Sequence, residues 1–120
     1  MKRNENRGKS AEDLACRYLQ QQGLELVARN YRCRAGEIDL IMRHGDSLVF
    51  IEVRYRHRSD YGSAAESIDF RKQRKIAHCA LRYLQCNPAL ARYPGRFDVV
   101  CIAAGQSGPH IHWIADAFQA

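Results

Sequence analysis

The chain lacks any apolar stretch long enough to cross a membrane. Its longest apolar runs, such as Leu48 to Ile51, span a few residues, whereas a membrane helix needs about 20. The polar start, Met1 to Asn6, also lacks the apolar segment of a secretion signal. The sequence therefore predicts a cytoplasmic protein with no membrane partner.

Closely spaced cysteines, which would indicate a disulfide scaffold or a thiolate metal site, are also missing. The five cysteines are odd in number, scattered, and never spaced as Cys-x-x-Cys: Cys16, Cys33, Cys79, Cys86 and Cys101. This pattern is typical of reduced, mostly buried thiols. The nearby histidines His110 and His112 have no cysteine beside them, so a structural zinc site is not expected.

Positive charge is in excess. The 19 Lys and Arg residues outnumber the 13 Asp and Glu residues, and the net charge of +6 favours polyanionic partners. Each cation that neutralises a phosphate releases counterions, which drives such binding. A length of 120 residues with 46% hydrophobic residues is typical of one globular domain, residues 1–120, with a single core.

Carboxylates occupy the two segments that are otherwise the most apolar and strand-like. Glu37 and Asp39 lie in the first of these, and Glu52 lies in the second, two residues before Arg54. A charge in a half-buried strand loses solvation and needs a partner. Three acids facing one arginine leave charge uncompensated, which favours a bound cation over the alternative, a purely structural ion pair with Arg54 and neighbouring arginines.

The two acidic segments are predicted to form a β-hairpin, residues 37–42 and 47–55. With a two-residue His44-Gly45 turn, or a four-residue loop over 43–46, Asp39 faces Phe50 and Glu37 faces Glu52. An odd-length loop would move Glu52 to the opposite face and destroy the acid cluster.

An even loop also separates the two kinds of side chain. The polar set on one face is Glu37, Asp39, Glu52 and Arg54, and the apolar set expected on the other is Ile38, Leu40, Val49, Ile51 and Val53. This separation supports the even loop independently of any function.

The first helix is predicted over Ser10 to Gln22, with Ser10 as its cap and Gly23 as its end. Glu12 lies beside the apolar stripe of this helix. It is either a first-turn acid that helps the helix dipole or a carboxylate aimed at a site under the helix.

The remaining pattern predicts a first strand, a second helix that starts between Ala64 and Asp69 and stops near Asn87, and two final strands. The strands span residues 24–32, 96–103 and 110–118. The order of helix, three strands, helix and two strands predicts an α/β fold, a mixed sheet with helices packed on it.

The acidic hairpin suits phosphodiester hydrolysis. Magnesium takes oxygen ligands, usually one or two carboxylates with waters and substrate phosphate. Asp39 and Glu52 would supply the carboxylates, and the backbone carbonyl of Val53 a third oxygen. Glu37 is expected as a flanking acid rather than as a metal ligand. Arg54, on the same face as Glu52, can reach the scissile phosphate.

Asp39 together with Glu52-x-Arg54 resembles the PD-(D/E)xK core of the restriction-endonuclease-like superfamily. More closely, the chain is similar to the YraN-like family of small bacterial proteins. The segments that carry this similarity are residues 11–15, 36–41, 50–54, Lys72 and 96–100.

The resemblance covers nearly the whole chain and implies a restriction-endonuclease-like α/β/α domain with a central mixed sheet. It also implies an acidic triad of Glu12, Asp39 and Glu52, with Mg²⁺ or Mn²⁺ as cofactor. Archaeal Holliday-junction resolvases are the nearest functional analogy, which implies branched or single-stranded DNA as the partner. A resolvase-like role requires a homodimer, because two strands are cut.

Arg54 stands where the superfamily pattern has lysine. A guanidinium stays protonated and cannot act as a base, although it can clamp phosphate and stabilise transition-state charge. Either the metal alone activates the water, or a lysine of the second helix takes over, Lys72 in preference to Lys75. The third possibility is a nucleic-acid-binding protein that has lost cleavage.

DNA contacts are expected from cations around the acidic centre: Arg34, Arg56, Lys72 and Lys75. They suit phosphate tracking without base specificity. The prediction is therefore a metal-dependent, structure-selective DNA endonuclease, with a non-catalytic DNA binder as the alternative. A third class is a protein-interaction factor in which the acids are only structural.

Overall fold

The computed structural model describes residues 2–56 and 68–119, and the side chains of 9–55 and 68–119. Its elements are α1 (Lys2–Gln21), β1 (Glu25–Cys33), β2 (Gly36–His44), β3 (Ser47–Arg56), α2 (Phe70–Cys86), a 3₁₀ turn (Pro88–Leu90), β4 (Gly95–Ala103) and β5 (His110–Phe118). The predicted order of helices and strands is confirmed; the 3₁₀ turn was not predicted.

Helix α1 begins eight residues before the predicted start, so Ser10 lies inside the helix and is not its cap. Hydrophobic spacing detects only the stripe of Ala11, Ala15 and Leu19, which is buried, and not a polar first half. The predicted end is confirmed: Gly23 has a φ of +97°, and Leu24 N–H donates to the carbonyl of Leu19. In the described part of the chain, neither helix is both long and apolar enough to cross a membrane.

The five strands form one sheet in the order β1-β2-β3-β4-β5. All neighbours are antiparallel except β3 and β4, which are parallel. The carboxyl ends of β1, β3 and β4 therefore lie at the same end of the sheet as the start of β2. This is an α/β fold with a mixed sheet, as predicted, and it is compatible with the restriction-endonuclease-like architecture.

Each helix covers one face of the sheet. Helix α1 packs with Leu40, Met42, Val49 and Ile51 in one core cluster. Helix α2 packs in a second cluster that includes Phe50. The predicted apolar set is correct for Leu40, Val49, Ile51 and Val53, which meet the first cluster.

Ile38 was predicted on the same face as Leu40 and Val49 and instead packs in the α2 cluster. It pairs with Tyr31 of β1, a residue that contacts the same cluster. The β2–β3 pairing ends at Leu40 and Ile51, so the strict alternation set by that pairing does not extend to Ile38.

The hairpin has an even loop, but the predicted pairing, which is the same for both predicted loops, is wrong by two residues. The turn is Gly45-Asp46, because His44 pairs with Ser47, and Phe50 pairs with Ile41 rather than with Asp39. Gly45 has a φ of +60°, a conformation that favours glycine, so the turn forms one residue later than predicted. The faces of the paired residues stay as predicted, since a shift of two residues keeps parity, whereas Ile38, beyond the end of the pairing, lies on the other face.

The prediction of reduced cysteines is wrong for Cys33 and Cys79, which form a disulfide between the end of β1 and α2. Their Cα atoms are 5.8 Å apart across 46 positions of sequence, a proximity that only tertiary packing creates. Cys16 and Cys101 are buried thiols outside any disulfide, as predicted, whereas the Cys86 thiol is exposed.

A buried aspartate ties β4 to β5. Asp98 has no exposed surface and accepts hydrogen bonds from Arg96, from Trp113 Nε1 at 2.9 Å and from the backbone of Asp116 at 2.9 Å. Arg96 also contacts His44 Nδ1 at 2.9 Å. Asp98 therefore has a structural role in joining β4 to β5.

Candidate metal site

Three carboxylates meet where α1 crosses the first half of β2. One oxygen each from Glu12, Glu37 and Asp39 lies within 4.8 Å of the other two. We call these three residues the acid cluster. It contains two members of the triad implied by the YraN-like resemblance, and Glu37, a flanking acid in the sequence analysis, takes the place expected for Glu52.

Asn30 of β1 joins two members of the acid cluster. Its side-chain amide donates to Glu12 Oε1 at 2.8 Å and to Glu37 Oε1 at 3.2 Å. It has a φ of +51°, in the left-handed region that asparagine tolerates better than most residues. Asn30 was not predicted as a site residue; its only sequence signal is an asparagine within a predicted strand.

Asp39 sits where β2 and β3 part. The β2–β3 pairing ends at Leu40, and the Asp39 carboxylate accepts a hydrogen bond of 2.8 Å from Val53 N–H. Burial, followed by the charge of Glu52, raises the pKa of Asp39 to about 8, although the Val53 hydrogen bond opposes the shift. Asp39 therefore holds a proton easily unless a cation replaces it.

Glu52 lies beside Asp39 but outside the acid cluster. It is 6% exposed, and its Oε2 lies 3.3 Å from Lys72 Nζ and 4.0 Å from Arg54 Nε. Lys72, the preferred lysine of the second helix, thus reaches the carboxylate of the Glu52-x-Arg54 motif. The pair with Lys72 joins α2 to the site.

Arginines of β1 flank the acid cluster on its outer side. Arg29 lies 2.7 Å from Asp13 and 3.7 Å from Glu12. Arg32 lies 3.7 Å from Glu37. Both arginines are partly exposed, so solvent screens these pairs and part of the negative charge remains available to a cation.

The acid cluster fits Mg²⁺ or Mn²⁺ by its chemistry. All three donors are carboxylate oxygens, the ligand type that hard divalent cations take. In an octahedral Mg²⁺ site opposite ligands stand about 4.2 Å apart and adjacent ligands about 3 Å apart, so the three oxygens, which lie within 4.8 Å of one another, would move closer together to bind one ion. Glu12, Glu37 and Asp39 would hold the ion, with Glu52 adjacent.

The other predicted site residues have different placements. Val53 meets Asp39 through its N–H; its carbonyl as a metal ligand stays a prediction. Arg34 is exposed in the turn between β1 and β2, and Lys75 is exposed on α2 with its Cβ near Gly36. The side chain of Arg56 lies outside the described residues.

The fold and site define a class of protein: an α/β domain with a mixed sheet and an acid cluster between its first helix and second strand. The chain matches the model described as "Uncharacterised protein family UPF0102" over residues 11–102. It therefore belongs to the UPF0102 family, and the YraN-like resemblance is confirmed.

Close relatives match along nearly their full length. The chain is 45% identical to a UPF0102 protein of Stutzerimonas stutzeri (99% of each chain) and 49% identical to one of Nitrosococcus oceani (95% of this chain and 92% of the relative). It is 50% identical to a UPF0102 protein of Xanthomonas campestris, over 96% of this chain and 93% of the relative. These relatives bear only the family name, so any activity must be argued from the site.

Proposed function

We propose that this protein is a Mg²⁺- or Mn²⁺-dependent phosphodiester hydrolase that cleaves DNA. The observation that carries the proposal is the convergence of Glu12, Glu37 and Asp39 beside the buried Glu52, which pairs with the partly exposed Lys72. The net charge of +6 supports a polyanionic substrate.

In this proposal the acid cluster binds the cation, and Lys72 and Arg54 bind the phosphate. A divalent ion, when bound, supplies Lewis acidity for water and for the phosphate oxygens. A cation bound at Asp39 would displace its proton and offset the burial and the neighbouring Glu52 charge that raise its pKa to about 8. Lys72 and Arg54 lie on the Glu52 side, where cations stabilise charge that develops on phosphate.

Lys72 can take the place of the lysine that the Glu-x-Lys pattern has where this chain has Arg54. Its ammonium lies 3.3 Å from Glu52, whereas Arg54 Nε lies 4.0 Å away. Both side chains can stabilise the negative charge of a phosphate, and Lys72 lies nearer to the Glu52 carboxylate. We therefore assign Lys72 and Arg54 to the phosphate beside Glu52, with Lys72 in the place of the lysine of the pattern.

A DNA-binding protein without catalysis explains the site less well. Three carboxylates within 4.8 Å of one another repel a phosphate backbone and weaken binding unless a cation joins them. Mn²⁺ binding without hydrolysis would nevertheless select this alternative. Branched or single-stranded DNA as substrate, and a homodimer, are further parts of the proposal drawn from the resolvase analogy.

The test is cleavage of end-labelled four-way junction, single-stranded and duplex DNA in Mg²⁺ or Mn²⁺. We expect metal-dependent cleavage that Asp39→Asn and Glu52→Gln abolish. Glu25→Gln, which alters an exposed acid at the start of β1, should leave cleavage unchanged. Undiminished cleavage by the Asp39→Asn protein would refute the proposal.

Two negative results select the alternatives. Binding that falls steeply with salt, without hydrolysis in any metal, selects the non-catalytic DNA binder. Neither metal binding nor DNA binding by calorimetry selects the protein-interaction factor.

A further inference from the structure

An open basic groove lies between the end of β1, the turn that follows it and helix α2. Its volume is about 620 Å³, and Arg32, Arg34, His78 and Arg82 contribute to its walls. We call it the Arg34 groove. No member of the acid cluster lines it.

The cations of the Arg34 groove are largely unneutralised. Arg34, His78 and Arg82 are all exposed, and no carboxylate of the described residues forms an ion pair with Arg34 or Arg82. Arg32 has one acidic neighbour, Glu37, at 3.7 Å, and its side chain is 79% exposed. Such a surface attracts an anion and can contact it without first breaking strong internal pairs.

The groove adjoins the acid cluster. Arg32 lines the groove and also contacts Glu37, which is a cluster member. A strand held at the acid cluster can therefore continue past Arg32 into the groove. A small anion could bind the cations at one end of this groove, whereas a polymer with regularly spaced phosphates can bind the cations along its whole length.

The two walls of the groove are joined covalently. The disulfide between Cys33 and Cys79 links the end of β1 to α2. Tyr31 packs edge-on against Tyr83 with ring centroids 5.0 Å apart, which adds a second link between the same elements. Arg34 and Arg82 are thus presented from a preformed frame, which lowers the entropy cost of binding.

We propose that the Arg34 groove binds the sugar–phosphate backbone of the DNA strand as it leaves the acid cluster. This inference rests on the proposed function and adds the path of the substrate. Guanidinium groups bind phosphate oxygens, and they do so without reading base identity. The sequence predicted a DNA contact for Arg34 but not for Arg82, which tertiary packing brings to the same groove.

The test is fluorescence anisotropy with a labelled single strand and a labelled four-way junction, in EDTA and at several NaCl concentrations. Arg34→Ala and Arg82→Ala should each lower affinity about threefold to tenfold at low salt. Each should also reduce the slope of log K against log salt by about 0.7 to 0.9, the loss of one phosphate contact. The matched control is Arg17→Ala, an exposed arginine of α1, which should change neither quantity.

The inference would be overturned if Arg34→Ala and Arg82→Ala bound DNA with the same affinity as Arg17→Ala. It would also be overturned if the wild-type protein bound neither the single strand nor the junction. Because EDTA removes the metal, the result does not depend on cleavage. Groove-dependent binding without hydrolysis in Mg²⁺ would refute the proposed activity and support the groove. Hydrolysis with unchanged affinity in both variants would refute only the groove.

Discussion

Replacing Asp39 by asparagine should stabilise the protein in the absence of metal. The substitution removes a charge that lies beside Glu52 and keeps an oxygen that can accept the hydrogen bond from Val53 N–H. The new amide can also donate to Glu52. A residue that evolved only for stability would not show this gain, whereas a cation-binding carboxylate would.

The magnitude follows from the shift of the Asp39 pKa from 3.8 to about 8. Below about pH 4 the Asp39 carboxyl is protonated in both the folded and the unfolded chain, so it does not lower the free energy of unfolding. As the pH rises towards 8 the unfolded chain loses this proton more readily, and the folded state becomes progressively less stable. A shift of about 4 units, at about 1.4 kcal/mol each, sets an upper limit of about 6 kcal/mol.

Solvent and the cations around the site reduce this limit, because Asp39 is only partly buried. We expect Asp39→Asn to gain about 2 kcal/mol at pH 8, which corresponds to a Tm higher by roughly 6 °C. At pH 4 the gain should fall below about 0.5 kcal/mol. Thermal unfolding in EDTA at pH 4, 6 and 8 measures this, with Glu25→Gln as the control.

Metal should reverse the order of stability. Mn²⁺ at one hundred times its Kd stabilises the wild type by about 2.7 kcal/mol, more than the gain of about 2 kcal/mol from the substitution, and it should leave Asp39→Asn nearly unchanged. An Asp39→Asn protein that melts at or below the wild-type Tm at pH 8 in EDTA would refute the reasoning. So would an equal response of both proteins to Mn²⁺.

Three further predictions concern the site and its frame. Glu37→Gln should weaken Mn²⁺ binding at least about tenfold by calorimetry, because it removes a ligand; unchanged binding would exclude Glu37 from the site. Asp98→Asn should cost about 3 kcal/mol in urea unfolding, since Arg96 loses its buried charged partner; a loss below about 1 kcal/mol would contradict this role. Reduction of the Cys33–Cys79 disulfide, which spans 46 positions, should cost up to about 4 kcal/mol of stability through chain entropy. A Cys33→Ser/Cys79→Ser protein should melt at the temperature of the reduced wild type and should not respond to dithiothreitol.

The face assignments of the hairpin could be predicted because they depend on parity. Any even turn puts Asp39 and Glu52 on one face, so the error between a His44-Gly45 and a Gly45-Asp46 turn changed the partners but not the faces. The prediction for Ile38 failed because it assumed that pairing continues along the whole strand. Counted from the turn, the pairing of β2 with β3 instead ends at Leu40. Beyond that point the Asp39 side chain accepts a hydrogen bond from Val53 N–H.

The composition of the acid cluster could be predicted only in part. Glu12 and Asp39 were candidates from position and resemblance, but Glu37 was rated a flanking acid. The position of Glu37 in the cluster depends on the left-handed backbone of Asn30 and on the hydrogen bonds that the Asn30 side-chain amide donates to Glu12 and Glu37. No periodicity in the sequence encodes such a contact.

The sequence by itself determined the α/β element order, the polar and apolar faces of the hairpin, and the carboxylates offered to the site, because these follow from local periodicity and residue chemistry. Only the tertiary structure decided which carboxylates meet, that Lys72 reaches Glu52, and that Cys33 bonds to Cys79. Those contacts join residues far apart in the chain, and their distances depend on how α1 and α2 pack on opposite faces of the sheet.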